Sequence, residues 1–204
     1  MTAVDYRDER LLPPPRLPHR EVGWWAMVLF CLTEASLFAY LLSSYFYLGV
    51  TNTAWPPIGH EKPKLMLPVI MTALLLSSSV ALWLAERSRE RGHLVRHRVG
   101  TAATMLLGVG FLSLQAVEYH DKLQKTSPQA SAYDSMFFTI TGFHGAHVAM
   151  GLLILAWTMT ADWRGRLAPT EPLALKNASL YWHFVDGVWL VILTCLYLSP
   201  RWYG

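Results

Sequence analysis

The sequence predicts an all-α polytopic membrane protein, a bundle of five transmembrane helices, and three observations lead there. Hydrophobic residues make up 53% of the 204 and charged ones 15%, against about a quarter charged in an ordinary soluble domain. The charges are also segregated. Of 17 Lys and Arg and 14 Asp and Glu, only Glu34 and Asp186 fall inside the stretches 22–48, 65–85, 99–117, 136–159 and 180–198. Each stretch is long enough to cross a hydrocarbon core about 30 Å thick as a helix rising about 1.5 Å per residue. Finally, none shows sustained period-two alternation, which disfavours a closed membrane barrel, the other way to satisfy a backbone in lipid.

Residues 1–21 read as a polar, Pro-rich arm, with Pro13-Pro14-Pro15 and Pro18 ill suited to a helix before Glu21. Residues 22–204 read as one membrane domain. The first stretch is too long and too far from the N-terminus for a signal peptide and has no Ala-x-Ala-like cleavage site. Pro56-Pro57-Ile58-Gly59 marks a turn before the second helix. Small residues recur every fourth position as Ala73, Ser77, Ala81 and Ala85, then as Gly100, Thr104 and Gly108, with Gly142 and Ala146, and Gly145 and Ala149, on the fourth helix. Such ridges let helices approach closely in lipid. Cys31 and Cys195 lie inside the first and last helices as small apolar residues. No repeat supports a solenoid or an inverted-repeat transporter. The polar pieces are too short for an independent soluble domain.

The net charge of +3 is read through topology and not as nucleic-acid binding. Lys and Arg number 12 in the N-terminal arm and the loops after the second and fourth helices, against 5 in the alternate segments. The positive-inside rule then places the N-terminus in the cytoplasm and the C-terminus outside. Trp24, Trp25, Tyr45, Tyr47, Trp55, Tyr119, Trp157, Trp163, Tyr181 and Trp182 sit near span ends, where aromatic rings anchor helices at the interface.

The polar residues left at membrane depth carry the functional reading, because an ionisable group at mid-bilayer costs at least about 2.5 kcal/mol. Glu34 lies near the middle of its span, and His147, matched in depth, is its expected partner across the first and fourth helices. His144 is one turn away on the same face. His183 and Asp186 are three apart, on a stripe with Trp182 and Trp189 that could hold an ion pair near the cytoplasmic interface. The simpler reading is that the carboxylate orients the imidazole. Glu118 falls where the third helix leaves the membrane, so a solvated or interfacial cluster explains it. A two-metal carboxylate site would need more acids than these, and His183 lies at the wrong depth to face His144 or His147 across a haem. No catalytic, metal-binding or cofactor-binding residue is assigned.

Five blocks in order carry a family resemblance: Leu32-Thr33-Glu34-Ala35-Ser36-Leu37-Phe38, Trp55-Pro56-Pro57, Leu114-Gln115-Ala116-Val117-Glu118-Tyr119, Thr141-Gly142-Phe143-His144-Gly145-Ala146-His147-Val148, and Tyr181-Trp182-His183-Phe184-Val185-Asp186-Gly187-Val188-Trp189. Together they resemble subunit III of the haem-copper terminal oxidases, the cytochrome c oxidase subunit 3 family. The match runs over 22–198 and has the look of the short five-helix bacterial form, without the first two of seven helices. Gly187 stands where a valine is common in the family.

The resemblance implies a non-redox subunit in the bacterial cytoplasmic (inner) membrane, with oxygen reduced to water elsewhere in the complex. It implies no cofactor in this chain, haem and copper in partner subunits, subunit I as main contact with subunit II nearby, and bound phospholipid. The implied role is to stabilise the catalytic subunit and support its proton uptake. Glu34, Glu118, His144, His147, Trp182, His183 and Asp186 would be the interior polar positions, bonding helix to helix or to lipid. A quinol oxidase subunit and a homologue associated with nitric oxide reduction would use the same helices. Outside the family stand a proton-coupled carrier built on Glu34 and His147 and a small haem-binding cytochrome.

Overall fold

The computed structural model describes residues 19–52, 55–57, 65–167 and 173–199. The Pro13-Pro14-Pro15 tract, the Ile58-Gly59 half of the first loop's turn and the C-terminal tail lie outside the described residues. Within them the chain forms α1 (His19–Thr51), α2 (Met66–Glu90), α3 (Leu94–Leu123), α4 (Ala132–Trp163) and α5 (Leu173–Ile192), the last continuing as a π-helical segment, Leu193–Leu198. Five helices are long and apolar enough to cross a membrane, and no strand occurs among the described residues.

Every helix differs from its charge-free stretch in the same way, by running on into charged flanks. The charge-free stretch measures the hydrocarbon core, whereas a helix without a breaker continues through the headgroup layers of a bilayer about 40–45 Å thick overall. The change is largest for α5, which begins at Leu173 and not at residue 180. For α5 the stretch also understates the core, because Trp189 stacks on His144 and Tyr181 bonds the His147 carbonyl, which sets His183 and Asp186 level with the middle of α4 and near the middle of the Leu173–Leu198 helix, not in its first turn. Helix ends follow local chemistry. Ser131 caps α4 by accepting a hydrogen bond from the Asp134 backbone N–H at 3.1 Å. Gly92, with φ +78°, makes the tight α2–α3 turn in a conformation that costs other residues more.

α3 lies along α2, where Gly100 meets the Ala85 methyl group and the Ala81 carbonyl. α5 packs against α1, α2 and α4, and its Trp182 ring reaches past α2 to α3. A Cβ on Gly108 would stand 2.6 Å from that ring, and one on Gly151 of α4 would stand 2.9 Å from it. The glycines are the notch that admits the indole. Ala81, Ala85, Gly100, Thr104 and Gly108 thus serve close packing, but Ala73 and Ser77 face outward. The buried stripe of α2 is instead Pro68, Met71, Leu75, Ser78, Leu82 and Ala85. Trp24, Trp25, Tyr47, Trp157 and Trp163 are exposed as anchors should be, whereas Tyr45, Tyr181 and Trp182 are core residues, buried to 1%. Tyr45 packs on Trp55 and Tyr133, and the other two stand well inside a helix that starts earlier than its apolar run.

An ion triad ties three helix ends together. Asp162 at the end of α4 takes Arg89 of α2 on Oδ1 and Nε of Arg98 of α3 on Oδ2, the latter at 2.9 Å. The Arg89 and Asp162 side chains are 8% and 6% exposed, and that of Arg98 is 37% exposed. Losing Asp162 would leave a buried guanidinium unpaired. Asp162→Ala is expected to destabilise the detergent-solubilised chain by about 3 kcal/mol and Arg98→Ala by less than about 1 kcal/mol, read by denaturant titration. Equal effects would contradict the ranking. By the same measurement Gly108→Leu is expected to cost about 1–3 kcal/mol through overpacking. Gly110→Ala, whose Cβ would meet only Leu74 at 3.6 Å, should be close to neutral.

Candidate functional site

The polar side chains gather at one depth. Glu34 lies at the middle of α1, Ser78 and Ser79 at the middle of α2, His147 at the middle of α4, and His183 and Asp186 either side of the middle of the Leu173–Leu198 helix. In hydrocarbon each must find a partner inside the protein.

Glu34 and His147 find each other. Nε2 of His147 is 2.9 Å from Oε2 of Glu34, and its Nδ1 is 2.6 Å from the Phe143 carbonyl. A carbonyl can only accept, so Nδ1 carries a proton; Nε2 and the carboxyl group then share one more. Wherever that second proton sits, the pair is neutral overall, which meets the demand of mid-bilayer burial. The edge of the Phe38 ring covers the imidazole at 5.1 Å between centroids. The Glu34 and His147 side chains remain 25% and 14% exposed, so the pair lies at the α1–α4 seam and not deep in the interior.

His144 turns inward. It is fully buried, stacked on Trp189 at 5.2 Å and met edge-on by Phe111 at 5.6 Å. Neither of its ring nitrogens has a hydrogen-bond partner among the described residues. One turn along, the Tyr181 hydroxyl donates to the His147 carbonyl at 3.3 Å and links α5 to α4.

The α5 stripe meets a matching row on α2. Trp182 Nε1–H donates to Ser78 Oγ at 3.0 Å, and Trp189 Nε1–H donates to Thr72 Oγ1 at 2.9 Å. Between them Ser79 donates to Oδ2 of Asp186 and lies 2.7 Å from Nδ1 of His183. His183 and Asp186 therefore form no direct ion pair; the serine joins them. Asp186 is 5% exposed.

Glu118 is buried, so of the solvated or interfacial cluster expected there the solvated form does not hold. Both of its carboxyl oxygens lie 3.0 Å from the Tyr197 hydroxyl, which donates to them from the π-helical segment. Nearby, Gln115 Nε2–H donates to the Thr141 carbonyl at 2.7 Å and Tyr119 donates to the Phe138 carbonyl at 3.1 Å, stitching α3 to α4.

Among the described residues no group of three or more His, Cys, Asp or Glu could hold a metal ion. What the arrangement does chemically is pair polar groups across helices. Thr72, Ser78, Ser79 and Asp162 were not singled out by sequence reasoning. Hydroxyl residues do not interrupt an apolar stretch, and Asp162 lies just past the end of one. One signal could have found two of them: Thr72 and Ser78 are six apart and Trp182 and Trp189 seven, a nearly matched spacing for two antiparallel helices in contact.

Comparison with known proteins gives the family. Residues 21–204 match the family described as cytochrome c oxidase subunit III. Cytochrome c oxidase subunit 3 of Lumbricus terrestris is 34% identical over 186 residues, covering 88% of this chain and 70% of the relative. The Synechocystis sp. protein of the same name is 31% identical over 88% of this chain and 77% of its own. Subunit 3 of the cytochrome bo(3) ubiquinol oxidase of Pseudomonas aeruginosa is 34% identical over 86% of this chain and 83% of its own. The matched region contains all five candidate membrane spans and every polar pair described above. This integral membrane protein belongs to the cytochrome c oxidase subunit III family of the haem-copper oxidases.

Proposed function

We propose that this chain is a non-catalytic subunit III that holds the oxygen-reducing subunit of a haem-copper oxidase in its working form and supports proton uptake through it. The observation that carries this reading is the internal pairing of polar groups within the spans. Glu34 is bonded to His147, Asp186 to Ser79, and Glu118 to Tyr197, so these acids are engaged in joining helices, as a scaffold requires. No redox centre is assigned to this chain; haem and copper belong to its partners, subunit I as main contact and subunit II. Phospholipids would occupy the remaining apolar surface.

The charge distribution supports an N-terminus in the cytoplasm and a C-terminus outside, in a bacterial inner membrane. The α2–α3 end, with Arg87, Arg89, Arg91, Arg96 and Arg98, would then face the cytoplasm and bias lipid and proton electrostatics there. The electron donor has two candidates. The similarity to a ubiquinol oxidase subunit, over 83% of that protein, keeps quinol beside cytochrome c.

A tag on this chain, mild-detergent purification and a reduced-minus-oxidised spectrum test the reading, with oxygen uptake measured on reduced cytochrome c and on quinol. Haem in a larger co-purifying subunit, with uptake, is expected, and the active donor names the class. Haem retained by the chain purified alone, or a chain that enriches with no haem-bearing partner, would contradict it.

A further inference from the structure

One face of the bundle is built differently from the rest. Along α5, with successive residues about 100° apart, His183 and Asp186 point to α2 through Ser79. Leu173 and Asn177 point to Gly23 of α1. Between these two sides lies Gly187, flanked by Leu190 and Val191 at the edges of the sector, and all three are exposed. α5 is thus the floor of a groove walled by α1 and α2. At Gly187 the floor is bare backbone, since a Cβ there would meet nothing within 4 Å.

The groove also holds a polar group that the chain does not satisfy. Elsewhere on the outer surface hydroxyls turn back onto their own helix: Thr33 bonds the Phe30 carbonyl, Ser36 that of Leu32, Ser44 that of Tyr40 and Ser113 that of Val109. His183 is half-buried, and among the described residues its ring bonds only through Nδ1, to Ser79. Nδ1 of His183 is engaged by Ser79, whose oxygen also meets Asp186, and Nε2 of His183 is left with no partner among the described residues. Beside it, Oδ1 of Asp186 is buried without a partner among the described residues. His183 is about 15 Å along the helix from Leu173, beyond the reach of headgroups. Acyl chains offer neither donor nor acceptor at that depth.

We propose that this groove receives a transmembrane helix of a partner oxidase subunit, packed over Gly187 and hydrogen-bonded through a side chain to Nε2 of His183. The inference rests on the reading of the chain as an oxidase subunit and names the face by which it is held. A helix is the fitting occupant because it supplies both what the groove lacks, a hydrogen-bonding side chain at mid-depth, and what it admits, close contact over a glycine.

The test uses the tagged full-length chain in its complex, with Gly187→Trp as the blocking variant and Leu106→Trp, on the outer side of α3 at 74% exposure, as the control. Open space at Gly187 means that the indole should not disturb the chain's own fold, checked by its thermal midpoint after purification. Haem co-purifying per tagged chain is expected to fall by about tenfold or more for Gly187→Trp, the scale of overpacking in a close contact, and to stay at wild-type level for Leu106→Trp. Gly187→Cys, alkylated with a maleimide–benzophenone and illuminated so that the ketone inserts into a neighbouring C–H bond, is expected to cross-link to a different, larger subunit. Wild-type haem retention by Gly187→Trp would leave acyl chains as the occupant and overturn the proposal. A Gly187→Cys cross-link to a second copy of this chain would overturn it too. A wild-type chain that brings down no haem at all would instead overturn the oxidase reading on which the proposal rests.

Discussion

In lipid the hydrophobic effect no longer drives helices together, and the bundle depends on where its polar side chains are satisfied. The seam between α2 and α5 is that place. Trp182 and Trp189 bring indole N–H donors to Ser78 and Thr72, and Ser79 gathers His183 and Asp186. The rest is arranged around the large rings this seam requires. Gly108 of α3 and Gly151 of α4 leave room for Trp182, while Phe111 and His144 close over Trp189. Once α5 is seated against α2, α3 and α4, α1 completes the structure through Phe30 on Tyr181 and Glu34 on His147. The Arg89–Asp162–Arg98 triad fixes the α2–α3 end.

Much of this was legible in the sequence because exclusion of charge is a coarse signal that lipid enforces strictly. Five spans followed from it, and so did the pairing of Glu34 with His147, two ionisable groups of matching depth in a solvent that tolerates neither alone. Depth became unreliable where helix and hydrocarbon part company. The run Leu173–Ser179 contains Lys176 and Asn177, so the apolar stretch begins at residue 180 while the helix begins at Leu173, and His183 was placed too near an interface. The same error made Tyr181 and Trp182 into anchors when they are core residues. Burial of Glu118 was hidden because its partner, Tyr197, lies on another helix, and no spacing within one segment reveals a contact across two. Ser78, Ser79 and Thr72 were missed for the opposite reason, since hydroxyls are ordinary in membrane helices and bond their own backbone by default.

The functional reading follows from how the polar layer is used. Family membership shows an oxidase subunit; the side chains found at mid-depth bind helix to helix. In the function proposed, a subunit built so would serve as a lateral support whose contribution to catalysis passes through its contacts with other subunits. The groove at Gly187 is where that support would be delivered, because there the polar layer reaches the surface unfinished. The Glu34–His147 pair also reaches the surface, but it is complete and neutral, which suits a face turned to lipid.

The claim that the α2–α5 seam carries the bundle is tested most directly by a double-mutant cycle on Ser78→Ala and Trp182→Phe, with unfolding free energy measured by denaturant titration in detergent. A cycle removes the cavity left by the smaller ring and isolates the bond between the two side chains. The account expects a favourable coupling of about 0.6 kcal/mol or more, the scale of interhelical hydrogen bonds in membrane proteins. Strict additivity of the two substitutions would contradict it.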